Sequence, residues 1–382
     1  MLILVINPGS TSTKMAVYED EKPVLLRNIV HAPEDLAPFG DDVINQHDYR
    51  KQLVLDELQQ VNMPLEFDAV IGRGGLVKPL EGGVYEINDL MIQDTHSGIA
   101  LHNHACNLGC LIAHDIASTI NAQRSMVNGQ RSMVNGQCSM VNGQSPKCRA
   151  FIADPGVVDE LNDYARISGS PLMNRICIWH ALNQRAIARR YAAGIGKEYE
   201  DLNLIICHMG GGISVAAHEH GRAVDANNAL DGEGPFSPER AGSLPAADLI
   251  RLCFSGKYSE KKLLKRIAGK AGLNAHLGTN NVKEIIQRIE DYSDSHAELI
   301  LNAMIYHVAK HIAAEAAVLC GQVDAILLTG GLARSEYIVS RLRRRIEFIA
   351  PVYCFPGEDE MQALALNALD VLRGKRQAKV YD

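Results

Sequence analysis

Short apolar runs ending in glycine- or hydroxyl-rich turns recur along this chain, and stretches with helical spacing separate them. Leu2–Ile6 is a continuous apolar run. Asn7-Pro8-Gly9-Ser10-Thr11-Ser12-Thr13 is a turn cluster, and Lys14–Tyr18 resumes as a strand, so residues 2–18 predict a hairpin. Asp68–Gly72, Arg149–Ala153 and Asp324–Thr329 predict further buried strands. They close on Arg73-Gly74-Gly75, Asp154-Pro155-Gly156 and Gly330-Gly331. Ile205–Cys207 and Ile213–Ala217 flank His208-Met209-Gly210-Gly211-Gly212 as a second long hairpin, and a short one follows at Gly221–Ala226. Helical spacing covers His47–Val61, Asn107–Ile120, Cys177–Ala193, Ala246–Phe254, Ala297–Cys320 and Glu360–Leu372. Strands alternating with helices predict an α/β architecture. The two long hairpins share one plan, which predicts two similar domains.

One stretch departs from this pattern. The heptapeptide at Arg124–Gln130 is repeated at Arg131–Gln137, and Cys138–Gln144 differs only in its first residue. Each unit carries an Asn-Gly turn signal and none offers an a/d apolar seam, which argues against a coiled coil. Three such units are too small to stack as a solenoid. The repeat is expected to be a surface insertion, mobile or loosely turned, without chemistry. It leads into the N-terminal end of the strand Arg149–Ala153, whereas Asp154 lies at the other end.

Composition narrows the function classes. The 382 residues are 47% hydrophobic and 22% charged, an ordinary globular composition with core for two or three domains. A net charge of -7 disfavours nucleic acid or an anionic membrane surface as the main partner. The nine cysteines are scattered, with no C-x-x-C, so neither a disulfide framework nor a zinc ribbon is indicated and a reducing cytoplasm fits. No secretory leader is read at Met1, and no apolar run approaches the ~20 residues of a membrane span.

Candidate chemistry gathers at strand ends, where α/β sheets bind ligands. Bare backbone N–H groups at Gly210–Gly212 can form a nest for phosphate oxygens, although most glycine hairpins are only tight turns. Neither a Walker A loop nor a strand–Gly-x-Gly-x-x-Gly–helix fingerprint is present. His180 beside Trp179 reads equally as a structural residue, and Arg240 in its Pro/Gly loop as a solvated ion pair. Glu358-Asp359-Glu360 could bind a hard cation, or could simply complement the dipole of the helix it precedes.

Taken together, these segments resemble a family. Val5–Lys14 is similar to the opening of acetate and butyrate kinases, His208–Ser214 to their second phosphate hairpin, and Leu328–Ala333 to their adenosine motif. Ile71–Gly75, Trp179–Gln184, Asp231–Gly242 and Phe355–Glu360 resemble the butyrate and branched-chain fatty acid branch. The resemblance covers nearly the whole chain apart from Arg124–Lys147. It implies a duplicated ribonuclease-H-like, actin-like ATPase fold with a cleft between two domains, residues 1–154 plus 360–382 and residues 155–359. It also implies reversible transfer of the γ-phosphoryl of ATP to butyrate, with Mg²⁺, in a cytoplasmic homo-oligomer whose only substrates are ATP and a small carboxylic acid. Branched-chain acids, propionate or acetate are alternative substrates, and a non-catalytic nucleotide-binding regulator is the alternative of another class.

The roles implied by the resemblance are these. Asn7, Ser10, Ser12 and Lys14 face phosphate on the first hairpin, and His208 with Gly210, Gly211 and Gly212 on the second. Gly330 and Gly331 border adenosine, and Arg73, His180 and Arg240 surround the transferred phosphoryl. Asn7, Asp154 and either Asp359 or Glu360 serve the metal. A fatty acid is already ionised at neutral pH, so the nucleophile needs no general base and Asp154 is expected to order the metal. The obstacle is charge repulsion, which positioned cations relieve.

Overall fold

The computed structural model describes residues 1–40, 42–97, 103–134 and 147–382. The chain divides into Met1–Val157 with Asp359–Asp382, and Val158–Glu358. In the first unit β1 (Leu2–Pro8), β2 (Ser12–Glu19) and β3 (Lys22–Val30) form an antiparallel meander. The strand β4 (Ala69–Arg73) joins β1 in parallel, β5 (Val84–Glu86) lies at the edge, and β6 (Arg149–Ala153) pairs with both β4 and β5. The sheet order is β3-β2-β1-β4-β6-β5.

The second unit repeats the plan. Its strands β7 (Asn203–Met209), β8 (Ile213–Glu219) and β9 (Arg222–Ala226) form a meander, and β10 (Ala325–Gly330) and β11 (Val352–Pro356) add in parallel, in the order β11-β10-β7-β8-β9. The likeness extends to details. The β2–β3 ladder shifts register at Val17/Tyr18, and the β8–β9 ladder at Ala217/His218. Asp68 accepts from the Leu2 N–H and donates its own N–H to the Leu2 carbonyl, and Asp324 does the same with Asn203. Asp20 and His220, just beyond the hairpins, both have positive φ, as do Asn62 and Cys320 ahead of the first parallel strand. The duplicated α/β fold expected from two matching hairpins is therefore present throughout each sheet.

Helices cover both faces of the second sheet, which explains why β7 is apolar at consecutive positions. Ile205, Cys207 and Met209 enter one core with the helices Ser295–Val318 and Glu336–Ile346. Leu204 and Ile206 enter the other with the helix Ala181–Gly194. In the first unit the helix Asn107–Val134 approaches β4 through paired glycines. A Cβ on Gly72 would lie 2.0 Å from the Gly109 carbonyl oxygen, and one on Gly109 2.3 Å from that of Arg73. The chain then returns at Asp359, and the helix Glu360–Leu372 buries Leu364, Ala365, Ala368 and Leu369 against this sheet. Lys379 bonds to β5 on both sides of Tyr85, and the buried Tyr381 donates to Asp94 at 2.8 Å.

Two expectations need correction. The helix expected over Cys177–Ala193 begins only at Ala181, because Ile178 bridges Asn228 and the Trp179 indole N–H donates to the Val158 carbonyl, which keeps the preceding residues non-helical. The helix expected to end at Ile120 runs to Val134, so residues 124–134 of the repeat are helical rather than loosely turned. Propagating an existing helix is far easier than starting one, and one glycine per seven residues costs only ~1 kcal/mol against alanine. The rest of the repeat, 135–144, lies outside the described residues.

The paired glycines yield a test. Gly109→Ala should destabilise the protein by about 1–3 kcal/mol through overpacking against backbone. Gly169→Ala, where a Cβ meets nothing within 4 Å, should stay within about 0.5 kcal/mol. Urea unfolding of both variants measures the difference.

Candidate active site

Side chains alternate along a strand, and this period decides which polar groups meet. At the end of β1, Asn7 points to the face covered by the helix Glu360–Leu372. Its amide donates to Glu360 Oε2 at 2.7 Å, and Arg73 Nη1, at the end of β4, donates to the same oxygen at 3.1 Å. Glu360 is only 4% exposed, so two donors on one oxygen offset its desolvation. Asp359 precedes it, and its charge adds to burial in raising the Tyr18 phenol pKa. Asp154, at the end of β6, is buried with φ +38° and accepts from the Gly83 N–H at 2.8 Å. Lys14 is exposed and sits cross-strand from Asn7.

The turn after β1 is gripped from the opposite face by Arg50, which is fully buried. Its Nη1 donates to the carbonyls of Gly9 (2.7 Å) and Ser12 (3.2 Å) and to Thr13 Oγ1 (3.2 Å). Its Nη2 donates to the Ser10 carbonyl at 3.3 Å, and Nε and Nη2 also share Gln46 Oε1. No peptide bond here is cis, so the C=O and N–H of each unit point oppositely. Drawing the Gly9 and Ser10 carbonyls to Arg50 turns the Ser10 and Thr11 N–H groups away from it. Sequence reasoning missed Arg50, since nothing in its helical spacing signals a buried cation. The neighbouring His31 bonds Thr13 Oγ1 at 2.9 Å, and burial together with the Arg50 charge lowers its pKa to about 4.

In the second unit His208, at the end of β7, shares a face with Leu204 and Ile206 and so meets the first turn of the helix Ala181–Gly194. It is fully buried. Its Nδ1 lies 2.8 Å from Asn183 Oδ1 and its Nε2 lies 3.1 Å from Glu358 Oε1. His180 stacks on it with ring centroids 3.8 Å apart and planes 10° from parallel. A Cβ on Gly212 would lie 2.3 Å from Arg240 Nη1, which donates to the Ala229 carbonyl at 2.8 Å. The Gly211 carbonyl accepts from Ser237 Oγ at 2.6 Å and from the Glu239 N–H, which fixes the turn. Gly330, at φ +86°, lies so close that a Cβ would sit 2.4 Å from the Met209 carbonyl oxygen, and Gly331 opens the short turn Gly331–Arg334.

Asn7, Arg73 and Glu360 thus form one bonded set, near a loop that carries Ser10 and Ser12. His180, His208, Gly210–Gly212, Arg240 and Gly330 form a second set within the other unit. The acidic run splits between these sets: Glu358 faces His208, while Glu360 holds Asn7 and Arg73. Ser214, Gln184, Asn183 and Ser237 support the second set; they lie inside the motifs that carry the resemblance, but the sequence alone assigns them no role. A separate group of His47, Asp48 and Asp115 has metal-ligand spacing, but Lys51 Nζ lies 3.0 Å from Asp48 and 2.9 Å from Asp115 and supplies the cation itself. Among the described residues no helix is long and apolar enough to cross a membrane.

A duplicated α/β unit, each copy led by a three-stranded meander and extended by parallel strands, is the actin-like ATPase class of fold. Within that class the chain belongs to the acetokinase family, whose model matches residues 175–350. It is 59% identical over 381 residues to a probable butyrate kinase of Bacteroides thetaiotaomicron, covering 100% of both chains. It is 46% identical to butyrate kinase 2 of Clostridium acetobutylicum, covering 99% of each. Among solved structures, Porphyromonas gingivalis acetate kinase superposes with a TM-score of 0.75 at 18% identity, over 97% of this chain and 99% of that one.

The buried histidines predict a pH dependence of stability. The pKa values of His31 and His218 are lowered to about 4 and about 3, against an ordinary 6.5, with burial the largest cause for both. The unfolded chain therefore binds more protons between these limits. The stabilisation is complete above pH 6.5 and is lost as pH falls toward 4 for His31 and 3 for His218. Between pH 7 and 4.5 each should cost about 2 kcal/mol. Urea unfolding at the two pH values should show the loss, and His31→Gln should reduce it.

Proposed function

We propose that this protein is a butyrate kinase, converting butyrate and ATP reversibly to butanoyl phosphate and ADP. The observation that carries this reading is the full-length 59% identity to a probable butyrate kinase. The site chemistry supports it. The butyrate carboxylate is ionised at neutral pH, so the reaction requires positioning and charge neutralisation and no proton acceptor. The Gly9–Thr13 and Gly210–Gly212 turns would take phosphate oxygens on backbone N–H groups, with Lys14 and His208 beside them, and Gly330 and Gly331 would border adenosine. Arg73, His180 and Arg240 would surround the transferring phosphoryl and disperse its charge as the carboxylate oxygen attacks in line. Asn7, Asp154, Asp359 and Glu360 offer the oxygen donors a hard cation selects, and Mg²⁺ held there would neutralise phosphate charge. Because Glu360 Oε2 already accepts from Asn7 and Arg73, its contribution to the cation would pass through water.

The same reading places the enzyme in the cytoplasm as a homo-oligomer. All eight described cysteines are free thiols, as a reducing compartment requires.

Initial rates of acyl hydroxamate formation across acetate, propionate, butyrate and isobutyrate test the substrate. Butyrate should give the highest kcat/KM, and a higher value for any of the others would reassign it. One methylene discriminates by only about 1–3 kcal/mol, so neighbouring acids should retain measurable rates. Nucleotide binding without acyl phosphate from any acid would favour a regulator. Arg240→Ala and Arg73→Ala should each lose about 2–4 kcal/mol of transition-state stabilisation, read as kcat/KM. Near-normal turnover in Arg240→Ala would remove that residue from the site.

A further inference from the structure

The face of β7 and β8 that meets the helix Ala181–Gly194 carries an unbroken line of buried hydrogen bonds ending at His180. Cross-strand pairing sets His208 opposite Ser214 and Leu204 opposite His218, so Ser214 and His218 point to the same side. Gln184 lies between them and, like both of them, is fully buried. Its Nε2 is 2.9 Å from Ser214 Oγ and 3.2 Å from the Ser214 carbonyl, and its Oε1 is 3.0 Å from His218 Nε2. Tyr199 OH is 2.6 Å from His218 Nδ1. Ser214 Oγ is 2.8 Å from His180 Nδ1 and 3.3 Å from the His180 backbone nitrogen.

Donor and acceptor rules orient every bond in this line. A carbonyl oxygen only accepts, so the Ser214 carbonyl requires the NH₂ end of Gln184 on its side. The Gln184 oxygen then faces His218 and accepts its Nε2–H, which leaves His218 Nδ1 as the acceptor of the Tyr199 hydroxyl. Burial and the Arg185 charge lower the pKa of His218, in keeping with a neutral ring. Ser214 Oγ accepts from Gln184 and from the His180 N–H, which uses both its lone pairs. Its own proton can go only to His180 Nδ1.

We propose that Tyr199, His218, Gln184 and Ser214 are positioning residues that hold His180 as the tautomer protonated at Nε2. That nitrogen is then a hydrogen-bond donor with no lone pair. It can donate to an oxygen of the transferring phosphoryl, and it cannot attack phosphorus. What the proton does rests on the proposed phosphoryl transfer, whereas where it sits does not. The logic matches other enzymes in which an orienting partner fixes the tautomer of a working histidine.

Multiple-bond proton–nitrogen spectra of the whole protein labelled with ¹⁵N-histidine report the tautomer directly. The His180 signals are identified by their loss in His180→Gln. The wild-type ring should show a protonated Nε2 and a pyridine-type Nδ1. Ser214→Ala and Gln184→Met should populate both tautomers and lower kcat about 10- to 100-fold, as loss of an orienting partner does, with KM for ATP within about twofold. A wild-type ring protonated at Nδ1 overturns the proposal, as does a Ser214→Ala protein that keeps the single Nε2–H tautomer. If the variants fail to fold, the wild-type spectrum still decides. The expected tautomer in a protein that phosphorylates no acid would instead count against the proposed function.

Discussion

A strand covered by helices on both faces must bury every side chain it carries, and that constraint organises this molecule. Along most of β1 and β7 apolar residues meet it. At the carboxyl ends it falls on Asn7 and His208, which are buried as deeply as the leucines before them. A buried polar group without partners costs several kcal/mol, so each must be met by another polar group from the covering helix. Glu360 and Asn183, both in the first turn of their helices, meet them. The polar sets at the two strand ends are thus the local solution to a packing problem.

The same constraint explains what could be read in the chain beforehand. The core strands β1, β4, β6, β7 and β10 are runs of apolar residues ended by turns, and the helix Glu360–Leu372 was legible to the residue. The strand β3 was not, because Leu25 is its only buried side chain, Ile29 is half-buried and the other residues of Lys22–Val30 face solvent. The helices Glu260–Ile267 and Val282–Tyr292 were missed for a similar reason, since they bury one and two residues respectively on otherwise charged surfaces. In the sites, residues in glycine-rich turns announced themselves. Arg50 and Gln184 did not, because their importance lies in what lies beneath them: carbonyls turned inward in one case, a serine hydroxyl in the other. Spacing along a helix gives the face of a residue and leaves open whether a partner waits there.

The two units fix the turn after their first strand by different means on a shared frame. In the first, a buried guanidinium draws the carbonyls inward and lets side chains such as Ser10 and Ser12 remain on the loop. In the second, the loop Ser237–Arg240 clamps the Gly211 carbonyl, and the Arg240 guanidinium packs against Gly212, where any added Cβ would have to displace it. The first turn is thus held through its carbonyls by a buried arginine, and the second by a neighbouring loop that also brings an arginine against Gly212.

Finally, the first unit is built from both ends of the chain. Its sheet is closed by the helix Glu360–Leu372 and by the segment around Lys379 that pairs with β5. On a ribosome, the amino-terminal part therefore emerges with one face of β1 and β4 lacking its cover. The roughly 200 residues of the second unit must be made before that cover exists. At about 5–20 residues per second this interval lasts roughly 10–40 s. The second unit, continuous in sequence, needs no segment made after it, so it can complete its fold before the first unit has all its parts.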